Sequence, residues 1–350
     1  MTILFAILLF SLLIFVHELG HFAAAKLSGV QVNEFSMFMG PALIKWQRGE
    51  TLYAIRCIPF GGYCAMEGEN EDSDNPRSFR NAAWWKQLII LIAGAAMNFI
   101  IGFAMLGLTY ASIEAVNVPV IVDVTPGCTI VAEDGLHVGD RFLEIDGEKI
   151  YMAGDFSMIL SVNTGDVHDV VVERNGKIME LDDFYMEKHL FPGEETEKYG
   201  ITFGSEQLTF SGKLKYAWLE TINVVRSVRL SLVMLFSGQA GFQDMMGPAG
   251  LVKLMSDTAS SAKNILGALM NMLYLGGYIA VNLAVMNLLP IPALDGGRVV
   301  GLLLTTGIES VTRKKIDAKY EGYIHGVGLI LLLILMIAVT FKDVIWMFKG

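Results

Sequence analysis

From Ile3 to Val16 the chain is almost unbroken hydrocarbon. It then reads His17-Glu18-Leu19-Gly20-His21-Phe22 before returning to Ala23-Ala24-Ala25. Ile3 to Ala25 is long enough for one membrane-crossing helix at about 1.5 Å per residue. On such a helix His17 and His21 share a face, one turn apart. Ionisable groups are costly in lipid, so inside an apolar span they are functional by default. The H-E-x-x-H spacing suits two imidazoles sharing one Zn²⁺, with the intervening glutamate placed to activate water. The run lacks the basic n-region of a signal peptide and exceeds a typical h-region, so it is expected to stay in the protein.

The composition of the 350 residues agrees: 53% are hydrophobic and 18% charged, and the mean hydropathy is +0.49. This is a membrane protein carrying some soluble mass. A net charge of −10 with no basic stripe excludes nucleic acid as a partner. Cys57, Cys64 and Cys128 are too few for a disulfide framework, and free thiols are expected.

Residues 1–28 hold the first span. Residues 29–83 read as strands, Glu34–Phe38, Ala42–Trp46, Thr51–Arg56 and Pro59–Tyr63, with turns at Gly40-Pro41 and Arg48-Gly49-Glu50. A small sheet beside a membrane site offers an edge that can capture an extended peptide. The acidic run Glu67–Asp74 is expected to be solvated and mobile. Trp84-Trp85-Lys86 is an interfacial anchor opening the second span, residues 84–112, in which Asn98 is expected to pack between helices.

Between 115 and 205 the composition turns soluble. Pro119–Val124 alternates as a strand. Gly135-Leu136-His137-Val138-Gly139-Asp140 leads into a strand, an Asp146-Gly147 turn and another strand, and Asn175-Gly176 marks a further hairpin. The pattern resembles a PDZ domain of the bacterial, circularly permuted kind. That resemblance makes Gly200, Ile201, Thr202 and Phe203 the peptide-binding strand; His137 and His168 read as surface residues. Residues 206–264 combine an amphipathic helix over Lys213–Phe236, lying at the membrane surface, with a Gly-rich linker.

The third apolar block, residues 265–308, is too long for one straight span and is broken by Pro290 and Pro292. Asp295-Gly296-Gly297-Arg298 follows at once. Broken backbone at membrane depth is tolerated only where it lines protein or a cavity, which makes Asp295 an inward-facing carboxylate. Residues 323–346 form the fourth span. The expected fold is a polytopic α-helical membrane protein of about four transmembrane helices, with a membrane-associated β-hairpin or sheet and an inserted PDZ-like α+β domain.

Charge gives the topology. Lys26, Lys45, Arg48, Arg56, Arg77, Arg80 and Lys86 lie between spans one and two; Arg298, Arg313, Lys314, Lys315 and Lys319 lie between spans three and four. The positive-inside rule puts both loops in the cytoplasm, and the 115–205 domain and both termini outside. The histidine motif and Asp295 then fall at similar depth, in the inner half of their spans. A catalytic zinc takes three protein ligands and keeps one position open. His17 and His21 supply two, and Asp295 is the best third, with His325 and Glu34 as alternatives. Glu18, kept off the metal, would take a proton from the attacking water and deliver it to the leaving amine.

His17–His21 paired with Asn287-Leu288-Leu289-Pro290-Ile291-Pro292-Ala293-Leu294-Asp295-Gly296-Gly297 resembles the site-2 protease family of intramembrane zinc metalloproteases. Phe60-Gly61-Gly62-Tyr63 and one PDZ-like domain between spans two and three make the chain similar to bacterial regulator-of-sigma-E proteases. The resemblance covers nearly the whole chain. It implies Zn²⁺ as cofactor and residence in the bacterial cytoplasmic membrane. It implies hydrolysis inside transmembrane segments of single-span proteins already trimmed outside, such as anti-sigma factors or remnant signal peptides. It also implies that Asn287 holds substrate, and that the strands of residues 30–66, with Phe60, Gly61, Gly62 and Tyr63, present an edge to it. The chain departs from relatives in having room for one PDZ domain where some carry two, and in placing Gly94-Ala95 where a proline often stands. A membrane-bound peptide-binding scaffold or a metal transporter is the other class of reading. A transporter needs a polar path across the bilayer, and the ligands here lie in one leaflet.

Overall fold

The computed structural model describes the chain except residues 1, 70, 72, 132–134, 164, 263, 314–317 and 350, and describes only the backbone of residues 2, 3, 60, 318, 321 and 347–349. Lys314 and Lys315 of the expected basic loop, Asn70 and Asp72 of the acidic run, and the Phe60 side chain fall outside the described residues. The chain forms two compact units, residues 1–109 with 240–350, and residues 110–239.

The first unit is built on four helices long and apolar enough to cross a membrane: α1 (Thr2–Ser28), α2 (Trp84–Ser112), α6 (Ile265–Asn287) and α8 (Ala318–Lys349). The third apolar block breaks where the prolines stand. α6 stops at Asn287, the chain runs without helix through Pro290 and Pro292, and α7 (Asp295–Thr312) begins at the carboxylate. The stretch read as a linker also carries a helix, α5 (Pro248–Ser260), started by proline at its first turn.

The strands of residues 29–83 are not four short pieces. They are two long ones, β1 (Val32–Arg48) and β2 (Thr51–Met66), joined by the expected turn at Gly49. Gly40-Pro41 bends β1 instead of ending it, with Phe38 and Gly40 at φ 71° and 83°. The bend lets the first half of β1 pair twice. Phe35 faces Tyr53 on one side and Cys64 on the other, while Trp46 pairs with Tyr53. Two strands thus make four rows, ordered 42–48, 51–56, 32–37 and 62–66. Arg56 ties them, donating to Glu34, Ser36, the Gly40 carbonyl and the Tyr63 hydroxyl.

Two apolar clusters hold this unit. Ala6, Leu9 and Leu13 of α1 pack with Met105, Met255, Met272 and Ile279. Ala25, Val32, Phe35, Cys64, Phe79 and Ile90 seat the β rows on α1 and α2. The acidic run is not a free solvated loop where it is described. Glu67 accepts from Asn33 at 2.7 Å and from Ser73 at 2.6 Å, and Glu69 pairs with Arg298 of α7.

The second unit has β3 (Ala115–Val124), β4 (Arg141–Ile145), β5 (Glu148–Lys149), β6 (Val167–Arg174), β7 (Lys177–Tyr185) and β8 (Ile201–Gln207), in the order β7-β6-β4-β3-β8 with β5 beside β4. Asp146-Gly147 and Asn175-Gly176 all take positive φ, as their hairpin turns require. An unforeseen helix, α3 (Ala153–Val162), covers the sheet through Phe156, Ile159 and Leu160. Asp155 starts it, accepting from the Tyr151 amide at 2.7 Å. His168 is buried rather than on the surface, donating from Nδ1 to Asp146 at 2.8 Å. The amphipathic stretch is one helix, α4 (Phe210–Ser237). Its arginines point at this unit's own groups: Arg226 reaches Asp155 and the Lys149 carbonyl, and Arg229 reaches Glu148.

Candidate active site

The motif lies in the C-terminal half of α1. His21 is buried, and its Nδ1–H donates to the Ile90 carbonyl of α2 at 2.8 Å. A carbonyl can only accept, so this bond fixes the tautomer and leaves the Nε2 lone pair facing inward. His17 Nδ1 lies 3.5 Å from the Asn287 amide at the end of α6. Asp295, in the first turn of α7, comes from the far side of the proline break.

These three side chains converge. His17 Nε2 and His21 Nε2 are 3.2 Å apart, and Asp295 Oδ2 lies 3.2 Å from the first and 3.3 Å from the second. A tetrahedral zinc with bonds of about 2.0–2.1 Å sets its ligands about 3.3–3.4 Å apart. The chemistry of the donors points the same way. Asp295 Oδ2 is buried without a hydrogen-bond partner, and a neutral His21 that donates from Nδ1 has no second proton to offer it. Acceptors crowded together in this way need a cation between them. His17, His21 and Asp295 are the one such ligand group among the described residues.

A cavity of about 310 Å³ opens beside the triangle, lined by Glu18, Tyr63, Cys64, Glu69 and Arg298 as well as His17, His21 and Asp295. Row 62–66, at the end of the β rows, forms one wall: a Cβ on Gly62 would lie 3.5 Å from Glu18 Cγ. Gly94 of α2 backs the two imidazoles. A Cβ there would come within 2.7 Å of His17 Cε1 and 2.8 Å of His21 Cε1.

Residues 5–335 match the model of peptidase family M50. The chain belongs to peptidase family M50. A candidate zinc metalloprotease of Clostridium perfringens is 36% identical over 99% of both chains. Another, of Clostridium acetobutylicum, is 36% identical over 99% of this chain and 98% of its own. The regulator of sigma-W protease RasP of Bacillus subtilis is 26% identical over 98% of each, in an alignment of 432 positions that leaves room for extra segments in that relative. This M50 member is a zinc metalloprotease with Zn²⁺ as its cofactor. The scaffold and transporter readings fall with that membership. Four spanning-length helices and these relatives make it a multi-pass bacterial membrane protein.

The structure brings His17, Glu18, His21 and Asp295 to one cavity, sets Asn287 against the outer edge of His17, and places Gly62 and Tyr63 beside Glu18. The two alternative ligands are engaged elsewhere. Glu34 pairs with Arg56 at 2.5 Å, and His325 accepts from the Ala293 amide at 2.9 Å. Gly200–Phe203 belong to the second unit. Sequence reasoning missed Gly94, the Ile90 carbonyl, and the Glu69–Arg298 pair. Glu69 was hidden in an acidic run, and Arg298 counted only as a topology marker.

Proposed function

We propose that this M50 protease cuts peptide bonds within transmembrane segments of single-span membrane proteins, with His17, His21 and Asp295 holding the zinc and Glu18 acting as general base. The observation that carries the reading is the ligand triangle, 3.2, 3.2 and 3.3 Å on its sides, set between apolar helices. Zinc held there by His17, His21 and Asp295 would supply Lewis-acid chemistry, polarising a carbonyl and making water nucleophilic near neutral pH. Glu18 takes the proton of the attacking water and returns it to the leaving nitrogen.

A helical peptide bond is hidden in its own i→i−4 hydrogen bond, so cleavage needs local unwinding. The freed N–H and C=O groups need partners in a dry site. Row 62–66 stands at the end of its sheet beside Glu18, which supports pairing with an unwound substrate as an added strand, with Gly61, Gly62 and Tyr63 (and Phe60 before them) along the contact. Asn287 adds one acceptor and two donors at the α6 end. The domain reading assigns residues 1–28, 84–112, 265–308 and 323–346 to spans, 29–83 to a cytoplasmic-side β region, 206–264 to an amphipathic and connecting stretch, and 115–205 to an extracytoplasmic PDZ-like domain. In that domain β8, which begins just after Gly200 and includes Ile201–Phe203, ends the sheet, which supports peptide pairing along it, and Phe156 of α3 meets Tyr199 and Phe203 edge to face, with ring centroids 5.3 Å apart. Excess Lys and Arg around the first and third loops support an active site toward the cytoplasm. Pre-trimmed anti-sigma factors are the first substrate class of this proposal and remnant signal peptides the second; the printed name of the RasP relative, regulator of sigma-W protease, supports a role in sigma-factor control.

The test is zinc content and cleavage of a single-span substrate by purified protein in detergent. Glu18→Gln should keep its zinc and lose turnover by roughly 10²–10⁴-fold. Asp295→Ala should lose the metal. Normal turnover in the first variant, or full zinc and activity in the second, would sink the assignment.

A further inference from the structure

We propose that His325 of α8 is a positioning residue for Asp295, a role that rests on the reading of Asp295 as the third zinc ligand. The amides of the proline break are satisfied locally, with one exception. Pro290 and Pro292 have none. Leu288, Leu289, Ile291 and Leu294 donate to carbonyls of neighbouring residues in the same stretch. The Ala293 amide alone among them reaches another helix, donating to His325 Nδ1 at 2.9 Å. At membrane depth an unmade backbone bond is costly, so this acceptor matters.

Ala293 stands at φ 78°, a left-handed conformation that alanine rarely adopts and that persists only where its surroundings impose it. Two residues later the chain delivers Asp295 to the ligand triangle. The same face of α8 presses on the residue before: Gly328, one turn beyond His325, lies so close that an added Cβ would stand 2.8 Å from the Pro292 carbonyl carbon and oxygen. α8 is otherwise lightly covered. Only 11% of its spanning window is buried, against 39–44% for the other three. Its far end is fixed by Asp343, which accepts from the Gly247 and Gly250 amides at 2.8 and 2.9 Å. A helix with so little packing that still places an acceptor and a glycine on Pro292-Ala293 is shaped to hold that turn. Without His325 the Ala293 backbone relaxes toward negative φ and re-aims the carboxylate, whereas a metal site tolerates about 0.2 Å.

The experiment compares zinc loss to excess chelator, substrate cleavage and apoprotein melting for the full chain in detergent. His325→Leu keeps bulk and removes the acceptor; it should weaken zinc retention and cleavage by roughly 10–100-fold, the usual range for an outer partner of a metal ligand. His325→Asn keeps an acceptor near the Nδ1 position and should stay within a few-fold of wild type. Gly328→Ala pushes Pro292 and should weaken retention as His325→Leu does, by more than any fall in apoprotein melting accounts for. If His325→Leu does not fold, the contrast between His325→Asn and Gly328→Ala decides. Wild-type retention in His325→Leu, or equal losses in His325→Leu and His325→Asn that track a fall in melting temperature, would overturn the role. Full zinc in Asp295→Ala would instead remove the ligand reading beneath it.

Discussion

Gly94→Ala adds one methyl to α2 and aims it at His17 and His21, the proposed ligands. That Cβ would lie 2.7 Å from His17 Cε1 and 2.8 Å from His21 Cε1. Ordinary carbon–carbon contact is about 3.5–4.0 Å, so the rings must yield by about 0.8 Å. His21 has little room to do so, because its Nδ1 is tied to Ile90 one turn earlier on the same helix. Overpacking of this kind costs about 1–3 kcal/mol. If displacing one ligand relieves it, zinc affinity falls roughly 5–150-fold. The higher helix propensity of alanine stabilises α2 by up to about 1 kcal/mol, but equally with and without metal. Competition against a chromophoric chelator in detergent reads the affinity, and melting of the apoprotein reads the fold. Gly107→Ala is the control on the same helix, since its added Cβ meets nothing within 4 Å. It should bind zinc as wild type does. A Gly94→Ala protein with wild-type zinc affinity and cleavage would show that the two rings are not held as described.

Asn287→Leu should leave folding intact and cut cleavage most for substrates with tightly helical spans; equal loss across tight and Gly- or Pro-containing spans would confine Asn287 to its contact with His17. In the second unit, burial raises the Asp140 carboxyl, but Arg174 and the His137 amide outweigh it and hold it below its ordinary value. The stability from this pair is therefore full above about pH 4 and is lost as pH falls through the depressed value. Protection of β4 and β6 amides from hydrogen exchange should drop below about pH 4 in the wild type and less in Asp140→Asn; matching profiles would refute the linkage. A cysteine at Ser73 should be shielded from an impermeant reagent in intact cells and one at Asn175 labelled, and the reverse pattern would overturn the charge-based orientation.

What could be read from the sequence was what covalent spacing or a local break encodes. His17 and His21 are one helical turn apart whatever else the chain does, and Pro290 and Pro292 announce the interruption that frees Asp295. The double pairing of β1 could not be read. It depends on a bend at Gly40-Pro41 that looks like a turn, and on Phe35 finding two partners far along the chain. α3 and α5 were missed because each is short and set among turn-forming residues, where periodicity is weak. Gly94 was noticed only as a departure from relatives. Its purpose depends on two rings belonging to another helix, and nothing in the neighbouring sequence refers to them.

The site is also divided unevenly along the chain. His17, Glu18, His21, row 62–66, Ile90 and Gly94 all belong to the first two spanning-length helices and the rows between them, whereas Asp295 arrives after α6. On the proposed assignment, a nascent chain whose first half has entered the bilayer already carries the base and two imidazoles, in a membrane crowded with other helices. It has no third ligand until the intervening domain has been made and α7 has followed it. Synthesis from the N-terminus would therefore place the closing ligand of that assignment among the last pieces delivered, and the site could not be complete before α7 has been made.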